Sequence, residues 1–277
     1  MYPKIIEDFV RMCEDGYKFG FNEANGGNAS YRMTPEEIKK CGEYLDLRDE
    51  DNWVSLNVDT QGLAGEYFIV TAAGSLMRNV ALDIPGCLGI VQLNDEGNAY
   101  RVIWGLEGGR PTSEFGAHLL NHSVRKTASG GKDRVMYHLH PESLIALTYI
   151  LPLDDAVFTN ALWKSMTECV MVIPDGGGVV KWLLPGSVDL AHATCAQMQN
   201  HQAVVWAHHG LFVTGANFDD AFGRAHTIEK SASIYNKILQ SDKPVLNAIK
   251  DEDLISICDS LGLTINKAYL GCDTYGK

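Results

Sequence analysis

Two histidines stand two residues apart in the stretch Met136-Tyr-His-Leu-His-Pro-Glu-Ser143. Alternate residues of a strand share a face, so His138 and His140 project in parallel if this stretch is extended. A further pair, His208-His209, precedes Gly210 in Val-Val-Trp-Ala-His-His-Gly-Leu-Phe at 204–212. Adjacent strand residues point to opposite faces, so at most one of these two joins the first pair. Catalytic zinc sites commonly take three protein ligands and keep one position for water or substrate. An H-x-H from one strand end and a histidine from another can supply that set. The same spacings also fit histidines that only make structural hydrogen bonds.

A rival cluster lies in Thr112-Ser-Glu-Phe-Gly-Ala-His-Leu-Leu-Asn-His122, where Glu114, His118 and His122 follow at steps of four. Each step drifts about 40° around a helix, which sets the outer two about 80° apart. A site built on one helix also lacks a second wall to exclude water. Glu114 is placed near the helix start, where the helix dipole favours a carboxylate. It could act as a fourth ligand or a proton shuttle, or be an ordinary N-terminal acid. Two glycine-bearing turns could cradle an anion through backbone N–H groups: Asn25-Gly26-Gly27-Asn28 and Thr71-Ala72-Ala73-Gly74-Ser75. Neither is a P-loop or a dinucleotide fingerprint, and no nucleophile elbow is present.

The elements that must hold these residues can be read from periodicity and turn chemistry. Apolar residues at helical spacing predict a helix over 3–19, and a short helix is expected at 35–42 within an otherwise irregular 35–60. Tyr67–Ala72 reads as a buried strand. Segments 87–93 and 99–105 form a hairpin. Thr112 or Ser113 caps a helix to about Thr127. A strand over 134–140 meets Pro141, which suits the first turn of a helix carrying Leu144, Ile145, Leu147 and Ile150. Segments 169–174 and 179–184 around Asp175-Gly-Gly-Gly read as another hairpin. Ser187 caps a helix to about Gln199, and strands 203–208 and 211–214 surround His209-Gly210. Asn217 starts the longest helix, ending near Leu239, and a short helix covers 251–261. Strands joined by hairpins with helices interspersed predict one α/β domain over 1–277: a three-layer αβα arrangement with a mostly antiparallel sheet.

The totals narrow the functions. The 277-residue chain has a net charge of −12, which argues against nucleic acid or an anionic membrane surface as partner. Its 45% hydrophobic and 21% charged residues are ordinary for a soluble globular protein. The longest apolar run is far shorter than a membrane span, and the N-terminus lacks the pattern of a signal peptide. Seven scattered cysteines without a C-x-x-C fit reduced thiols and a cytoplasmic location.

Taken in order, the stretches NGGN (25–28), FIVTAAG (68–74), MRNV (77–80), LGIV (88–91), IWGL (103–106) and PTSE (111–114) form one run. It continues through GKDRV (131–135), HLHPESLIALTY (138–149), VFTNALW (157–163), TEC (167–169), PDGGG (174–178) and HHGLF (208–212). This run resembles the class II, zinc-dependent sugar-phosphate aldolases, and within them the branch acting on L-rhamnulose 1-phosphate, over roughly 20–240. The resemblance implies His138, His140 and His209 as ligands of one Zn²⁺ per subunit, with His208 facing away, and Glu114 as the catalytic acid/base. It places Asn25, Gly27, Asn28, Gly74, Ser75, Thr112 and Ser113 where the family holds phosphate or substrate hydroxyls. Glu168 resembles a family carboxylate contributed across a subunit boundary, in a C4 homotetramer. Where the family has a Ser-Gly-Lys-like phosphate turn, this chain has Ala73-Gly74-Ser75, so the usual hydroxyl and cation are missing.

The reaction so implied is retro-aldol cleavage of a phosphorylated ketose, without a lysine Schiff base. Pentulose-phosphate 4-epimerases share the histidines but are typically shorter, and the stretch 35–66 together with IWGL favours the rhamnulose branch. Adducin-like binding modules share the fold without the ligands. A zinc hydrolase would give no reason for the anion-cradling turns.

Overall fold

The computed structural model describes residues 1–107 and 109–272. In chain order it contains α1 (Lys4–Lys18), β1 (Asn28–Arg32), α2 (Pro35–Cys41), β2 (Val54–Ser55), β3 (Tyr67–Thr71), α3 (Ile84–Cys87), β4 (Leu88–Leu93) and β5 (Ala99–Gly105). There follow α4 (Phe115–Ala128), β6 (Val135–Leu139), α5 (Glu142–Leu147), α6 (Asp155–Ser165), α7 (Thr167–Val172) and β7 (Gly178–Val180). The chain continues through α8 (Val188–Met198), β8 (Ala203–Trp206), β9 (Gly210–Gly215), α9 (Phe218–Leu239) and α10 (Asp251–Leu261).

Among the described residues the nine strands join one sheet in the order β2-β5-β4-β3-β1-β6-β9-β8-β7. Every pairing is antiparallel except the parallel edge pair β7–β8. The two-residue alternation of strands divides the side chains between two helical layers. Val135, Tyr137 and Leu139 of β6 enter the larger core, shared with Phe9, Leu144, Phe158, Ala225 and Leu254 from the helices of that side. Met136 faces the other way, towards Leu190 and Met198 of α8, while Phe115 and Leu119 of α4 pack with Phe68 and Val70 of β3. The result is an αβα sandwich, as the element pattern predicts. It is also the layering a sheet adopts when both faces must be buried.

Sequence and structure differ at the Asp175 turn, at the start of α4 and at the end of α5. The hairpin expected around Asp175 does not form. Residues 167–172 are helical, and Gly178–Val180 pairs parallel with β8. Gly176 (φ 82°) turns the chain between them, so its glycines serve a helix-to-strand turn. Helix α4 begins at Phe115 with Glu114 as its first flanking residue and no side-chain cap. Thr112 lies ahead of the helix, its N–H donating to the Thr71 carbonyl at 2.9 Å. Ile150 lies beyond α5, which stops at Leu147. Strand β1 and helix α6 were not read from the sequence. All five residues of β1 are buried, and a strand buried on both faces shows no alternation. Ser187 and Asn217 cap α8 and α9 as read, accepting from the N–H groups of Leu190 and Asp220.

Candidate active site

Strands β1, β6 and β9, neighbours in the middle of the sheet, bring their site-bearing ends together at one end of it. The register puts Asn28 opposite His138 and His138 opposite Phe212, so Asn28 and His138 occupy one row on the α4 side. His140 stands just past the strand end, its N–H donating to the Phe21 carbonyl at 2.8 Å. His209 sits in the turn between β8 and β9. The preceding His208 carries a left-handed backbone (φ 61°), a conformation costing a non-glycine residue about 1–2 kcal/mol. The His208 N–H donates to Thr148 Oγ1 at 3.0 Å, which helps hold that turn. The His208 ring lies 4.2 Å from that of Tyr149 and points away from the other three histidines. Gly210 has no room for a side chain: a Cβ there would stand 3.0 Å from His140 Cδ2 and 3.1 Å from His138 Cε1.

The three rings converge through their Nε2 atoms. His138 Nε2 lies 3.1 Å from His140 Nε2 and 3.2 Å from His209 Nε2. The outer nitrogens fix the tautomers of two rings: His138 Nδ1 donates to the Leu211 carbonyl at 3.1 Å and His140 Nδ1 to Glu23 Oε1 at 2.8 Å. Their Nε2 lone pairs therefore aim at one another with no proton between them, an arrangement that calls for a cation. Ligands about 2.05 Å from a tetrahedral zinc stand about 3.3 Å apart, close to the two observed separations. The donor set thus fits a borderline metal ion such as zinc. Burial, together with the two neighbouring imidazoles, holds His138 well below the usual histidine range. Burial also lowers His209, with His140 adding to the effect and Glu114 and Glu23 opposing it. Neutral imidazoles are the form that ligates.

Around this cluster a cleft gathers Asn25, Gly27, Asn28, Gly74, Ser75, Thr112, Ser113 and Glu114 with the three histidines. The Glu114 carboxylate accepts from Asn28 Nδ2 at 2.9 Å. Gly27 (φ 76°) keeps the 25–28 turn tight, since a Cβ there would meet the His138 carbonyl at 2.8 Å. The Ser75 hydroxyl donates to the Ala72 carbonyl at 2.8 Å. No Lys or Arg is among the described residues lining the cleft. Glu168 lies exposed on α7, outside the cleft of its own chain. His118 and His122 are fully buried against β1 rather than in the cleft. Glu23 was missed by sequence reasoning, because an exposed acid two residues before a glycine turn carries no signal of its histidine partner.

Fold and site together define an αβα enzyme built around a histidine–carboxylate centre. The model of the class II aldolase and adducin N-terminal domain matches residues 7–236. A rhamnulose-1-phosphate aldolase of Mannheimia succiniciproducens is 42% identical over 235 residues, 84% of this chain and 86% of that protein. The enzyme of the same name from Pectobacterium carotovorum is 40% identical over 260 residues, 94% of each chain. Among solved structures, a sugar-phosphate aldolase from Thermotoga maritima superposes with a TM-score of 0.73 at 26% identity, covering 88% of this chain and 98% of that one. The chain belongs to the class II aldolase family and is a carbon–carbon lyase. Among the described residues, no helix is long and apolar enough to cross a membrane.

Proposed function

We propose that the chain cleaves L-rhamnulose 1-phosphate to dihydroxyacetone phosphate and L-lactaldehyde, with one zinc ion per subunit held by His138, His140 and His209. The observation that carries this reading is the convergence of three Nε2 atoms in the same cleft as Glu114. When bound, the metal supplies Lewis-acid stabilisation of the oxyanion charge that develops during cleavage. In the reaction the C3–C4 bond breaks, the C4 hydroxyl gives up its proton, and C3 gains one. Glu114 protonates C3, its carboxylate aimed by Asn28. Without a lysine or arginine in the cleft, the phosphate is held by the backbone N–H groups of Gly27 and Gly74 and by the hydroxyls of Thr112 and Ser113, since the N–H groups of Gly26, Ala72, Ala73 and Ser75 donate within the fold.

We further assign a homotetramer working in the cytoplasm, in which Glu168 completes the site of a neighbouring subunit. Trp182, Leu184 and Val188 are 58%, 65% and 60% exposed in the single chain. They follow β7 at the end of the sheet that carries the histidines. An apolar group so exposed supports cover by another copy. The test is a coupled assay in which released dihydroxyacetone phosphate oxidises NADH. Cleavage of L-rhamnulose 1-phosphate that EDTA abolishes and Zn²⁺ restores is expected. Absence of an EDTA-sensitive signal, or a borohydride-trapped covalent adduct, overturns the reading.

A further inference from the structure

The cluster Glu114, His118 and His122, a ligand set by spacing alone, has another use in the fold. Residues of β1 two apart and residues of α4 four apart have nearly the same pitch, about 6–7 Å. Asn28 and Ser30 therefore interleave with Glu114, His118 and His122 like the teeth of a zip. Asn28 Nδ2 donates to Glu114 Oε2 at 2.9 Å, and Asn28 Oδ1 lies 2.5 Å from His118 Nε2. His118 Nδ1 lies 2.8 Å from Ser30 Oγ, and Ser30 Oγ 2.8 Å from His122 Nε2.

The directions of these bonds follow from one end. A carboxylate only accepts, so the Asn28 amide must turn its NH₂ to Glu114 and its oxygen to His118. His118 then carries its proton on Nε2 and accepts at Nδ1 from the Ser30 hydroxyl. Ser30 in turn accepts from His122 Nε2–H. Ser30, His118 and His122 are all 0% exposed, and burial pushes His118 down to about 3 and His122 well below the usual range, so both rings stay neutral. The chain of donors runs one way, from the core to the carboxylate. It ends inside the protein, so it orients and does not carry protons.

We infer that His118, Ser30 and His122 are positioning residues: they lock the Asn28 amide in the orientation that aims Glu114 at the reacting carbon. This rests on the aldolase reading above. Without the His118 donor the amide oxygen loses its partner, and the amide is free to turn that oxygen to Glu114 whenever the acid carries the proton it delivers to C3.

The variants His118→Leu, which removes the donor, and His118→Gln, which keeps an N–H near the Nε2 position, are compared with the unmodified protein. Three quantities are read: kcat and KM for L-rhamnulose 1-phosphate, exchange of the hydroxymethyl C–H of dihydroxyacetone phosphate into D₂O, and zinc content. His118→Leu is expected to lower kcat and exchange together by about tenfold, with KM and zinc within about threefold. His118→Gln is expected to restore both rates to within about threefold. A change in KM alone, or unchanged rates in His118→Leu, overturns the inference. Crystal structures of the two variants decide it independently of activity: an Asn28–Glu114 bond intact in His118→Leu refutes the positioning role. If the unmodified protein cleaves nothing, the functional reading fails, and that bond still decides this one.

Discussion

Lowering the pH from 7 to 5 should cost this protein at least about 2 kcal/mol through two histidines that never meet solvent. His118 and His122 are fully buried, and desolvation is the main cause of their lowered pKa, to about 3 for His118. The ordinary value near 6.5 applies in the unfolded chain. Between pH 6.5 and about 3 the unfolded state therefore binds a proton at His118 that the folded state refuses. Stability is fully present above the unfolded value and falls with pH below it. From pH 7 to 5 His118 alone removes about 2 kcal/mol of the 5–15 kcal/mol typical of a folded domain, and His122 acts in the same direction. Urea titrations at both pH values, in EDTA and at fixed protein concentration, measure the loss for the unmodified protein and for His122→Asn. His138, His201 and His209 are lowered as well, and Glu229 is raised, which acts in the opposite sense. These groups cancel in the difference between the two proteins. The variant should lose less stability than its parent on going to pH 5. Equal losses would refute the claim that His122 is held neutral by the fold.

Glu114→Gln should reduce kcat by about 10²–10⁴-fold while retaining zinc, since a proton-transfer group is removed without touching a ligand; steady-state kinetics with metal analysis check both parts. Glu23→Gln loses the charge that orients the His140 ring and should weaken zinc binding by about 10–100-fold, measured against a competing chelator. Gly210→Ala places a Cβ into the Leu139 carbonyl and 3.0 Å from His140 Cδ2. Backbone that cannot yield makes this variant less stable by about 2 kcal/mol or more, visible as a lowered thermal midpoint. Treatment with EDTA should abolish cleavage, with recovery on adding Zn²⁺.

The αβα layering and the H-x-H pair were legible because period-two and period-3.6 patterns report directly which faces are buried. His209 was legible only as one of two adjacent candidates, and the positive φ of His208 is what turns its neighbour inward. Strand β1 was hidden because Asn28–Arg32 is buried on both faces and contains polar residues satisfied only by distant partners. The same long-range pairing hid the true use of His118 and His122, whose spacing alone suits a metal as well as a serine. The 169–184 hairpin failed because glycine marks a turn without saying which elements the turn joins.

The antiparallel register of β1, β6 and β9 also governs when the site can exist. Its groups come from remote parts of the chain: 71 residues separate His138 from His209, and 86 separate Asn28 from Glu114. Contacts of such separation are slow to form, because loop closure must be met before any pairing rewards it. During synthesis the chain exposes at most the His138-x-His140 pair until β9 has emerged and docked. On the three-histidine reading, a weak two-histidine site becomes a tight one only when β9 pairs with β6. The metal proposed for this site would therefore report that the β6–β9 pairing has formed, and would add its binding free energy only to chains that have reached it.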